Sequence, residues 1–74
     1  MQLHVVVVDI FEGVTKFRYP IVRHAFYGRD RAEAEGYYRL HMETDAFLRE
    51  CVEKKKWNGV ACEVEVFYDT AKHA

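Results

Sequence analysis

Apolar and polar positions divide the chain into two extended stretches, one long helical stretch and a third extended stretch. Gln2 to Phe11 carries the run Val5-Val6-Val7-Val8, and Lys16 to Tyr27 is a second extended, aromatic-rich run. Glu12-Gly13 lies between them and supplies the glycine of a β-hairpin turn. With Glu12 and Gly13 as the loop, Asp9 faces Lys16 and Val8 faces Phe17, so that His4, Val6, Val8 and Ile10 share a face with Phe17, Tyr19 and Ile21. From Val60 to Asp69 the alternation is cleaner: Val60, Cys62, Val64, Val66 and Tyr68 point one way, Glu63 and Glu65 the other.

Between these strands, residues 31–56 read as helix. The stretch opens on Asp30-Arg31-Ala32-Glu33, an Asp-x-x-Glu capping pattern, and closes on Lys54-Lys55-Lys56-Trp57 followed by Asn58-Gly59, cations and then a stop. Ala34, Tyr37, His41, Thr44, Leu48, Cys51 and Val52 fall on one stripe, with Met42 and Phe47 outside it. A continuous helix of this length would span roughly 39 Å, more than the roughly 30 Å of a nine-residue strand, so a bend is expected. Thr44-Asp45 is the place for it, since either residue can cap a new helical start and re-aim Phe47 at the sheet.

Pro20 within the second strand places that strand at an edge, because proline has no N–H to give a ladder. The first strand, apolar on both faces, belongs in the middle. The expected fold is therefore α+β: a two-layer ββαβ sandwich of strands about 2–11, 16–27 and 60–69, a three-stranded antiparallel sheet in order 2-1-3, and one bent or broken helical layer. Residues 1–74 form a single small domain, with a tail from Thr70 to Ala74 that the pattern leaves frayed.

Composition adds limits. Half the residues are hydrophobic and 31% charged, too apolar for disorder. A chain of 74 residues buries only about 60% of its unfolded surface, a thin margin that a second subunit can widen. Eleven Lys and Arg against twelve Asp and Glu leave no global attraction to nucleic acid or acidic lipid. Met1-Gln2-Leu3-His4 lacks the basic start of a signal peptide, and the valine run is too short to cross a bilayer. The expectation is a cytoplasmic protein without membrane association, with Cys51 and Cys62 as buried free thiols rather than a disulfide scaffold.

Candidate chemistry is sparse. His4, His24, His41 and His73 have no metal-ligand spacing, there is no Cys-x-x-Cys, and no phosphate loop or nucleophile elbow occurs. No catalytic residue, metal or cofactor is expected. Two surfaces remain. Leu3, Val5 and Val7 on the far face of the central strand, rimmed by Lys16, Arg18, Glu63 and Glu65, form a charge-bordered apolar strip suited to a homodimer or an unknown protein partner. Lys54, Lys55, Lys56 and Trp57 combine cations with an aromatic and give the alternative, a nucleic-acid patch, although lysines also gather at helix C-termini for the macrodipole. The favoured function is a small, non-enzymatic interaction or regulatory module that self-associates through the open sheet face.

Overall fold

β-Branched residues favour extended backbone because their side chains pack well on a pleated surface, and the valine run lies in a long strand. The computed structural model describes residues 2–12 and 19–72, with side chains through Thr70. Its elements are β1 (Gln2–Glu12), β2 (Val22–Gly28), α1 (Arg31–Thr44), α2 (Ala46–Lys54), β3 (Lys56–Trp57) and β4 (Val60–Lys72). The fold is α+β, with a four-stranded antiparallel sheet in the order β2-β1-β4-β3. The three long strands thus stand in the order expected. The fourth, two-residue strand was not expected: the helical layer ends at Lys54, two residues early, and Lys56-Trp57 turns back onto β4. Asn58-Gly59 does not stop a helix. It makes the two-residue hairpin turn between Trp57 and Val60, with φ of 50° and 78° at its two positions, as a primed turn requires.

Register also departs from expectation. Asp9 lies opposite Arg23 and Val8 opposite His24, while Lys16 and Phe17 fall outside the described residues. β2 begins only at Val22, so Pro20 precedes the ladder instead of interrupting it, and the Ile21 N–H donates to the Ile10 carbonyl at 2.8 Å. A shift by an odd number of residues exchanges the faces of a strand. Val22, His24 and Phe26 accordingly join Val8 and Ile10 on the helical side, whereas Tyr19 and Ile21 are exposed. β4 continues to Lys72, so the tail pairs with β1 as far as Gln2 opposite Lys72, where fraying was expected.

The helical layer breaks at Asp45, as its capping chemistry predicts. The Asp45 N–H donates to the His41 carbonyl at 2.8 Å and closes α1, while its Oδ1 accepts the Leu48 N–H at 3.0 Å and opens α2. The Leu48 N–H, joined by His41, holds this carboxyl below its usual pKa. Because the residue between the helices is not helical, the apolar stripe of α2 does not project back along α1. Leu48, Cys51 and Val52 face the sheet as expected, and on α1 Ala34 is buried and His41 half buried against Phe26, but Tyr38 and Met42 pack on the core while Tyr37 and Thr44 of the predicted stripe are exposed. Phe47 stays half exposed and meets the Trp57 ring edge to face at 4.9 Å instead of entering the core.

Val8, Ile10, Leu48, Cys51 and Cys62 form the buried centre between the layers. Each large side chain removed from water there contributes about 1.5–3 kcal/mol. Burial raises the pKa of both thiols. Asp30 caps α1 by accepting the Glu33 N–H at 2.8 Å, and Glu33 reaches back one residue further than a capping box, to the Arg29 N–H and guanidinium. Gly28 passes directly beneath this first turn: a Cβ there would sit 2.9 Å from the Glu33 carbonyl carbon and collide with the Ala34 backbone nitrogen.

Two outcomes follow from this packing. Gly28→Ala is expected to lower stability by about 1–3 kcal/mol in denaturant titration, since backbone on both sides must move to admit one methyl group. Cys51 and Cys62 are expected to react with a thiol reagent orders of magnitude more slowly in the folded protein than in urea. Equal rates in the two states would contradict their burial.

Candidate protein-interaction surface

Alternation along β1 sends Leu3, Val5, Val7, Asp9 and Phe11 to the side opposite the helices. Register then surrounds them. Tyr27, Ala25 and Arg23 of β2 stand opposite Val5, Val7 and Asp9 on one flank, and Asp69, Phe67, Glu65 and Glu63 of β4 line the other. The helices pack on the other face of the sheet. The three strip residues of the sequence reading are brought together here, but unequally exposed. Val5 and Val7 keep only 6% and 7% of their surface, because neighbouring strands already shield them, and Leu3 is half buried. Half-buried Phe67 and exposed Tyr27 are the apolar groups that reach furthest outward. Glu63 and Glu65 are exposed on β4 opposite Phe11 and Asp9, whereas Lys16 and Arg18 lie outside the described residues.

The centre of this face is an ion pair that sequence reasoning did not find. Arg23 Nε donates to Asp9 Oδ1 at 2.6 Å and Nη2 to Oδ2 at 2.8 Å, a two-pronged contact. The Asp9 side chain is 4% exposed and that of Arg23 58%. The carboxylate is therefore desolvated by the sheet while the guanidinium covers it from the solvent side and has its pKa raised by the bond to Asp9. The available signal was an acid set between Val8 and Ile10 on an apolar strand, which needs a cation across the ladder; the choice of Arg23 over Lys16 depended on the hairpin register.

The basic patch is dispersed over three kinds of backbone. Lys54 ends α2, Lys55 takes a left-handed conformation with φ of 58° as its C-cap, and Lys56 starts β3. All three are exposed and make no ion pair with a described residue. Trp57 is half buried, packed on the core and on Phe47. The arginines of α1 are otherwise engaged: Arg31 and Arg39 flank Glu35 at 2.6 and 3.9 Å, and the Arg31 guanidinium lies 4.3 Å over the Tyr68 ring. Asp45 is committed to capping α2, and its second oxygen meets His41 Nε2 at 3.1 Å. Among the described residues no cluster of His, Cys, Asp or Glu is arranged to hold a metal ion, and no helix is long and apolar enough to cross a membrane.

The ion pair makes a separable prediction. Arg23→Gln leaves a buried carboxylate without its cation and is expected to lower Tm, whereas Asp9→Val combined with Arg23→Val removes both charges from an apolar strip and is expected to melt at or above the wild type. Thermal melts of the two variants decide it; a double variant no better than Arg23→Gln would mean that the pair stabilises by more than mutual neutralisation. No family model matches this chain, and no curated protein or solved structure is significantly similar to it.

Proposed function

We propose that this protein is a non-enzymatic interaction module that self-associates through the helix-free face of its sheet. The observation that carries this reading is the composition of that face. An antiparallel sheet covered on one side normally turns polar residues outward, and here the outward side of the central strand is Leu3, Val5, Val7 and Phe11 with a neutralised ion pair among them. Stacked sheets approach to about 10 Å, so a second copy seated on the strip would remove Leu3, Phe67 and Tyr27 from water together. Related by a two-fold axis, one patch can serve as both halves of the contact. A standard interface takes about 800 Å² from each partner, a modest part of the 5426 Å² that this chain exposes. The rim carboxylates Glu63 and Glu65, facing the exposed side of Arg23 in the other copy, would set orientation more than affinity.

Sedimentation at micromolar concentration tests this. Leu3→Lys and Phe67→Lys sit at half-buried positions, so each is expected to keep the fold by circular dichroism and weaken the face-to-face contact about tenfold or more, the effect of placing a charge in a desolvated patch. Self-association unaffected by both would remove the face from consideration.

The alternative, a nucleic-acid accessory protein, is favoured by one observation: Lys54, Lys55 and Lys56 are consecutive, exposed and without an acidic partner among the described residues. Replacing all three by Gln separates the readings. In a nucleic-acid binder the substitution weakens binding and flattens its salt dependence, while a module acting through the sheet face keeps its self-association unchanged.

A further inference from the structure

The outer edge of β2 carries no pairing partner among the described residues, although β2 is a regular seven-residue strand. Natural edges are usually blunted by a proline, a lysine or a bulge. Here Pro20 stands before the strand, the one charged side chain in it, Arg23, is held by Asp9, and β2 pairs with β1 without a break from Val22 to Gly28. Beside the edge, α1 exposes Tyr37 and Leu40 at 51% and 56%, and these residues, with Phe26, Tyr27, His41 and Thr44, line an open groove between strand and helix. Tyr37, Leu40 and Thr44 recur at helical spacing, a second apolar stripe on α1 that the core does not use.

We infer that this edge pairs with the β2 edge of a second copy, antiparallel about a two-fold axis at Ala25. The sequence of β2 is self-complementary in that register. The small Ala25 meets itself on the axis, Arg23 stands opposite Tyr27, His24 opposite Phe26, and Val22 opposite Gly28, so that no like charges face each other. Arg23 already gives one side of its guanidinium to Asp9, and its exposed side is available to the partner's Tyr27 ring. The same axis sets the two α1 helices side by side and antiparallel, so that the Tyr37 and Leu40 stripes close on one another over the joined strands. An isolated extended peptide would satisfy the strand but leave this stripe open, whereas a copy of the chain supplies both. The contact is distinct from the face-to-face one, and two isologous contacts on different surfaces close into a tetramer of dihedral symmetry when their two-fold axes cross at right angles.

Sedimentation velocity and native mass spectrometry of the full chain, with each surface altered separately, distinguish the two contacts. Tyr37→Glu with Leu40→Lys changes only exposed side chains, and circular dichroism checks that the fold persists. The expected results are a tetramer for the wild type, edge-paired dimers for Leu3→Lys, and face-paired dimers for the Tyr37→Glu/Leu40→Lys variant. In the wild type, every second amide of β2 should also show slowed hydrogen exchange that the double variant loses. If the wild type is a dimer that Leu3→Lys dissociates while Tyr37→Glu/Leu40→Lys does not, the edge contact is overturned and the face contact stands. If the double variant alone dissociates it, the edge contact stands and the face contact falls. A monomeric wild type whose outer β2 amides exchange freely defeats both.

Discussion

Everything in this molecule is arranged around the double burial of β1. From Val5 to Phe11 each residue keeps 7% of its surface or less, on whichever side of the sheet it points. The strand can be buried this way only by pairing along both edges, with β2 on one and β4 on the other. Its even-numbered residues are sealed by the helices and its odd-numbered ones by the breadth of their neighbours. The single charged member of the run, Asp9, is tolerated because the β2 register brings Arg23 to it, and moving that register by one residue would leave a carboxylate buried without a cation.

The helical layer meets the same sheet through a compromise made at one residue. Asp45 divides the layer by ending one helix with its backbone and starting the next with its side chain. The two helices can then present unrelated faces. α2 delivers Leu48 and Cys51 to the centre of the core, while α1 lies across β1 and β2 with Tyr38 and Met42 inward. That rotation leaves Tyr37 and Leu40 beside the outer edge of β2, and it leaves Val66, on the helical side of β4, 42% exposed.

Two layers of secondary structure thus leave two kinds of apolar surface unspent. One is the odd-numbered face of the sheet, where shielding by adjacent strands is nearly complete for the valines and partial for Leu3 and Phe67. The other is the β2 edge with its helical stripe. A domain of this size is short of internal burial and gains stability from any further surface it removes from water. Lys54, Lys55 and Lys56 sit away from the β2 edge, around the turn into β3 at the other side of the sheet.

Short-range physics made much of this legible in the residues themselves. The valine run set β1 at the centre, alternation set the inward side of β4, and the capping chemistry of Asp30 and Asp45 marked where helices start and break. Cys51 and Cys62 were readable as core from their place on those patterns. What depended on long-range pairing was not readable. The distance from Glu12 to Val22 decided which face of β2 turned inward and therefore that Arg23 answers Asp9; periodicity is blind to it, because a strand shifted by an odd number of residues carries the same alternation. The Asn58-Gly59 pair can stop a helix or turn a hairpin, and only the nearness of the β4 edge chose the hairpin. In the same way, the inward face of α1 was chosen by the sheet against which it packs, since once Asp45 had broken the helix no residue of α2 could fix its rotation.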